Sequence, residues 1–170
     1  MNLFHFSEES DIAIFKPRKL EYRSDEPAMV WAIDEFHAPH YYFPRECPRV
    51  CVWKKEDTTE ADMRRFFGHS RTSHIIAIET AWWYERVKKA SIYRYSFMTD
   101  SFYSHSPEAG YYTSLDTVEP ISVDRLDGLL ERILELGIEL RITPSLRHLQ
   151  TDILSSTVNF SMIRMKNASP

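Results

Sequence analysis

The sequence predicts an α+β fold: a mixed, mainly antiparallel β-sheet core with peripheral helices. Short runs of alternating or wholly apolar residues recur along the chain, bounded by Pro, Gly and polar clusters, as strands are. These runs follow one another and do not alternate strictly with helices, which favours α+β over a doubly wound arrangement. A few stretches carry the 3.6-residue apolar period with recognisable caps, enough for helices at the periphery.

Residues 2–7 alternate aromatic and polar side chains and predict the first strand. Ser7 to Asp11 offer N-cap oxygens before Ile12, Ile14 and Phe15, which predicts one helical turn ended by Pro17. The charged stretch 18–27 reads as a loop, and residues 29–33 as a buried strand. Asp34 suits the N-cap of a short helix over 35–43, confined by Pro39. Residues 50–53 predict a strand. Thr58 or Thr59 caps a helix running to Gly68, with Thr59 and Asp62 approximating a capping box. A strand over 74–79, a helix over 81–89 and an alternating strand over 92–97 follow. Residues 99–109 read as a polar loop with one turn, 110–114 as a strand start, and 118–123 as an extended segment. The clearest helix is predicted over 123–136, with Ser122 as cap, Leu126, Leu129, Leu130, Ile133 and Leu134 as its apolar face, and Gly137 as its end. A strand over 139–142, a helix over 145–155 and a strand over 160–165 complete the order.

A chain of 170 residues without a Gly/Ser-rich linker or repeat is read as a single domain, residues 1–170, with a short flexible tail from about 166. The formal charge is −4 and basic residues are scattered among acids, which argues against nucleic acid as a partner. No stretch approaches a membrane span and no secretory segment opens the chain, so a cytoplasmic location is expected. Cys47 and Cys51, four apart in or near one predicted strand, are expected to be reduced thiols. With four glycines the chain has no phosphate loop or dinucleotide fingerprint, and it lacks GxSxG and HExxH.

Several groups remain as carriers of chemistry. His5 and Ser7 share one face of the first strand. They face either solvent or a cleft, where an imidazole binds a sugar hydroxyl or serves as acid or base. Asp34, His37 and His40 are spaced three apart, a set that fits a metal, while Asp34 also fits a simple N-cap. His37 and Tyr41 at i, i+4 form a cleft wall, with Trp31 on the preceding strand. Arg45, stiffened by flanking prolines, and Arg18, after Pro17, fork onto a phosphate or carboxylate, or pair internally. Tyr111, Tyr112, Thr113 and Ser114 stack on and hydrogen-bond a ring, or build an ordinary Tyr-rich sheet.

The stretches His5-Phe6-Ser7-Glu8, Val30 to Glu35, His37-Ala38, Phe43-Pro44-Arg45, Cys47 to Val50, Tyr93-Arg94-Tyr95 and Phe160 to Met165 resemble a family of uncharacterised bacterial proteins of about this length. A more distant likeness is to the ADP-ribosyltransferase superfamily, whose members open with a His-bearing strand. A second strand follows, then a helix with an Ala and an aromatic residue. That resemblance implies that His5 grips a ribose of NAD, that Tyr41 or Tyr42 and Tyr112 flank the ring, and that Arg45 takes a phosphate. It places a catalytic Glu on the strand of Tyr112 to Ser114, where this sequence has none; Glu108 and Glu119 flank that strand. His5 and Tyr112 are then the candidate catalytic residues, and Ser7, Arg18, Trp31, His37, Tyr41, Arg45 and Ser114 the candidate ligand-binding ones. The competing readings are a non-catalytic domain that binds a small ligand or peptide, and a metal-assisted hydrolase using Asp34, His37 and His40.

Overall fold

The computed structural model describes residues 1–170, apart from the side chains of Ala81 and Trp82. The chain forms two compact units, Met1–Tyr41 with Ser91–Asp127 and Tyr42–Ala90 with Gly128–Pro170. The α+β class holds, and the strands divide into two sheets.

The first unit is a six-stranded antiparallel sheet in the order β6-β7-β2-β1-β5-β8. Its strands are β1 (Leu3–Ser7), β2 (Val30–Asp34), β5 (Ile92–Phe97), β6 (Tyr103–Ser106), β7 (Tyr111–Ser114) and β8 (Ser122–Leu126). One face carries Leu3, Val30, Ala32, Tyr95 and Phe97, over which Phe15, Phe102 and Val118 pack to make the core. Burying each of the larger side chains stabilises by about 1.5–3 kcal/mol. Phe15 meets Tyr95 and Phe97 edge-on, with ring centroids 5.1 and 5.0 Å apart. The Tyr95 hydroxyl, buried with its ring, donates to the Glu9 carbonyl at 2.7 Å and accepts from Ile12 N–H at 3.2 Å. That pair of bonds fastens the covering segment to the sheet.

The second unit is a four-stranded sheet in the order β10-β3-β4-β9. It consists of β3 (Arg49–Trp53), β4 (His74–Glu79), β9 (Glu139–Thr143) and β10 (Asn159–Ile163), with only the β4–β9 pair parallel. Four helices belong to it: α1 (Glu60–Phe67), α2 (Thr80–Lys89), α3 (Leu129–Glu135) and α4 (Arg147–Leu154). Phe66, Phe67, Leu146 and Ile153 pack against Val50, Val52, Ile75 and Ala77. Thr59 caps α1 by accepting from Asp62 N–H, and Asp62 in turn accepts from the Thr157 amide and hydroxyl at 2.8 and 2.6 Å. The residues from about 166, for which the sequence predicts fraying, bond to buried or part-buried groups. Arg147 donates to the carbonyls of Met165, Ala168 and Ser169, and Ser169 N–H donates to the buried Glu79 carboxylate at 2.8 Å.

Four sequence expectations are corrected. Residues 123–126 belong to β8, where Leu126 is buried opposite Ile92, so the helix predicted from 123 begins only at Leu129. Gly128, in the left-handed conformation at φ 60°, separates strand from helix. Residues 7–15 form no helical turn: Ser7 Oγ accepts from Glu9 N–H, and Phe15 pairs with Val118 as extended chain. The helix expected over 35–43 shrinks to one 3-10 turn, Ala38–Tyr41. The polar loop over 99–109 contains β6.

Candidate functional site

β1 and β2 are neighbours at the centre of the first unit's sheet, yet they pair only through Leu3–Asp34 and Phe4–Ile33. Each remains paired with its outer neighbour, β1 with β5 over five residues and β2 with β7 over four. Beyond Phe4 the sheet therefore opens along a seam. The His5 side chain spans it: Nδ1–H donates to the Trp31 carbonyl at 3.0 Å, where a continued ladder would place a backbone donor. Because a carbonyl only accepts, that bond places a proton on Nδ1. At the far end, a two-way backbone pair between Arg18 and Met29 closes the seam.

The pairing registers place the candidate residues on the two faces. On the core face, Ser104, Tyr112, Ala32, His5, Tyr95 and Val123 form one row across the strands, with the β1–β2 register carried one step past Phe4–Ile33. His5 and Tyr112 thus share a face, on strands separated by β2. Phe15 packs against His5 with ring centroids 4.9 Å apart. Ser7 and Ser114 share that face. Ser114 is buried and its hydroxyl accepts from Asp116 N–H. On the same face, an open groove of about 330 Å³ lies between residues 10–13, Tyr95 and residues 120–123.

The opposite face carries half-buried aromatics. The Phe6 and Tyr41 rings are nearly parallel, 8° apart, with centroids separated by 6.3 Å. The Tyr41 and Tyr111 hydroxyls are hydrogen-bonded at 2.5 Å. Trp31 stands edge-on to Tyr111 and His105, with centroids 5.8 and 4.7 Å away. The Arg23 guanidinium covers the Trp31 ring at 4.9 Å, and the Arg94 guanidinium covers Phe4 at 5.0 Å. Both arginines are paired, Arg23 with Glu26 at 2.8 Å and Arg94 with Asp124 at 3.0 Å.

Of the sequence candidates, then, His5, Trp31 and Tyr41 gather around the seam, with Tyr112 in the His5 row. His37 is turned elsewhere. It is buried, and its backbone N–H and Nδ1–H both donate to Asp34 Oδ1, at 2.8 and 2.7 Å. Asp34 therefore serves as a cap and partner for His37, and among the described residues no group of three or more His, Cys, Asp or Glu could hold a metal ion. Arg18 is exposed and contributes backbone bonds. Arg45 lies in the second unit, exposed in the turn before β3. Tyr111, singled out in the sequence with Tyr112 to Ser114, lies beside Trp31 and Tyr41, as do Phe6, Arg23, Glu26 and His105, which the sequence did not single out as site residues. The available signal was the strand alternation that puts Phe6 and Trp31 on one face.

The cysteines of the second unit offer no nucleophile. Both are free and buried, and burial pushes each thiol up to about 12. Among the described residues no helix is long and apolar enough to cross a membrane. A family of unknown function (DUF6886) matches residues 4–168, nearly the whole chain. No curated protein and no solved structure matches it.

Proposed function

We propose that the chain, which belongs to this family of unknown function, binds a nucleotide of the NAD class at the seam between β1 and β2. The observation that carries the proposal is the opening of the sheet at its centre with an imidazole set across it. The imidazole, set in place by its bond to the Trp31 carbonyl, is a group of the kind that hydrogen-bonds a ribose hydroxyl. Phe6, Trp31, Tyr41 and Tyr111 offer π-faces and edges against which a planar ring gains contact area. The likeness to ADP-ribosyltransferases supports the same place. Its His-bearing strand, its second strand and the strand of its third key residue correspond to β1, β2 and β7, which are adjacent in the sheet. Transfer chemistry of that kind relies on a Glu on the third strand. β7 reads Tyr-Tyr-Thr-Ser, so the proposal is for binding.

Thermal and urea unfolding with NAD, ADP-ribose and AMP tests it. Ligand at a hundredfold over its Kd raises stability by about 2.7 kcal/mol. His5→Gln, which keeps a donor for the Trp31 carbonyl, should retain the fold and weaken NAD at least about tenfold, about 1.4 kcal/mol. Unchanged unfolding midpoints with all three ligands at millimolar concentration would refute the reading.

A further inference from the structure

Residues 19–28 make a closed excursion from the first unit's sheet. Its neck is the Arg18–Met29 backbone pair, at 3.0 and 3.1 Å. Inside it, Arg23 N–H donates to the Leu20 carbonyl and Glu26 N–H to the Arg23 carbonyl. Most of its residues are exposed, Tyr22 by 80%. A compact surface loop with joined ends is an Ω-loop, a form that is frequently functional. Two side chains fasten it to the sheet: Arg23, over the Trp31 ring at 4.9 Å, and Glu26, whose Oε1 stands 3.4 Å from His105 Nε2. His105 itself meets Trp31 edge-on.

Two buried polar atoms lack a hydrogen-bond partner, Nε1 of Trp31, the ring that Arg23 covers, and Glu26 Oε2 on this loop. The first can only donate and the second, on a carboxylate, can only accept. Buried groups of this kind are costly to leave unsatisfied. A neutral group carrying an N–H beside a C=O or a ring nitrogen supplies one partner of each kind, and both residues lie beside His105. A carboxylate could answer only Trp31, and its charge would meet that of Glu26.

We propose that residues 19–28 are a lid hinged at Arg18–Met29, and that Glu26 on the lid and Trp31 on the sheet together read a carboxamide or nucleobase edge and reject a carboxylate. This rests on the nucleotide reading of the seam. The lid opens by giving up the Arg23–Trp31 and Glu26–His105 contacts, and it closes when the ligand edge fills the place of the missing partners. Glu26 and Trp31 are thus ligand-binding residues, and Arg23 and His105 are positioning residues that hold the lid.

Trypsin cuts after Arg23 only when the lid is open, so cleavage there reports the lid without requiring activity. His105→Ala should speed that cut by about tenfold in the free protein, as weakened local closure does. NAD should slow it in the unsubstituted protein. In direct titrations NAD should bind about tenfold more tightly than the dinucleotide whose nicotinamide carboxamide is a carboxylate, and Glu26→Gln should bring the two within about threefold. Equal affinity for the two dinucleotides, or a preference that survives Glu26→Gln, overturns the reading of the edge. An unchanged cleavage rate in His105→Ala overturns the lid. If neither dinucleotide binds while His105→Ala does speed cleavage, the nucleotide reading fails and the assignment of Glu26 and Trp31 falls with it.

Discussion

Replacing Gly110 by alanine should be among the more damaging single-methyl additions in the first unit. Gly110 ends a 3-10 turn with φ 72°, where a residue with a Cβ costs about 1–2 kcal/mol. The added carbon would also stand 2.1 Å from His37 Nδ1, 2.6 Å from its Cγ and 2.8 Å from the Asp34 carboxyl carbon. Neither side chain can retreat without breaking the 2.7 Å bond between them. A hydrogen bond to a charged group is worth about 1.5–3 kcal/mol, so the two costs sum to about 2.5–5 kcal/mol. Gly137→Ala provides the control: φ is 74° and nothing lies within 4 Å of the new carbon, so only the conformational cost remains. With a urea slope of about 2 kcal/mol/M, the unfolding midpoint should fall by about 1.2–2.5 M for Gly110→Ala and by about 0.5–1 M for Gly137→Ala. Equal shifts in the two variants would show that the Asp34–His37 pair yields freely and would refute the steric argument.

Other predictions concern the second unit. Hydrogen bonds from Thr157, first its hydroxyl and then its amide, hold the Asp62 carboxyl below its ordinary value of 3.8. A depressed acid stabilises the fold above its unfolded pKa and loses that contribution as pH falls through its folded one. Stability should therefore drop from about pH 5 downward and level off below the folded pKa, and Asp62→Asn should flatten that part of a urea-midpoint-against-pH curve. Cys47 and Cys51, buried and pushed up to about 12, should not react with a thiol reagent at pH 8 in the native protein, and both should react in denaturant; prompt native labelling would contradict their burial. Arg147→Ala removes the donor to three tail carbonyls and should cost about 2 kcal/mol, with amide exchange of Ala168 and Ser169 accelerated ahead of the rest of the chain.

The parts legible in the sequence are those whose structure is decided locally. The apolar run of β4 and the alternation of β5 fall where the pattern predicts them, and Thr59 caps α1 as its spacing to Asp62 requires. Pairing between distant segments is not written in a local pattern. Val123 to Leu126 extend the apolar period of α3 backwards, yet they pair with β5, and the left-handed turn at Gly128 falls inside what reads as one helix. Ser7 offers a helix-capping oxygen and spends it on Glu9 N–H, while Phe15 is drawn into an extended pair with Val118. The same holds for the site. The alternation of β1 correctly places His5 and Ser7 together, but no local signal says that β1 parts from β2. Nor does the Arg23–Glu26 spacing in a charged loop reveal that both side chains fold back towards Trp31 and His105.

The seam itself constrains what the first unit is for. β1 and β2 have strand-forming sequences, Leu-Phe-His-Phe-Ser and Val-Trp-Ala-Ile-Asp, and on their outer sides β1 is laddered over all five residues and β2 over four. Weak propensity therefore does not explain why their mutual ladder ends after two pairs. Each further backbone bond would contribute about 1 kcal/mol net, and the centre of a sheet is where such bonds are best protected from water. Giving them up there, and stapling the opening with one imidazole, lowers stability relative to a continuous sheet of the same strands. Proteins keep such local sacrifices mainly where the exposed groups do something. The His5 row lies on one face of the strands that part there, and the Trp31, Tyr111 and Tyr41 cluster lies on the other. A ligand bound between the parted strands would meet side chains of both faces, as one lying flat on a closed ladder does not.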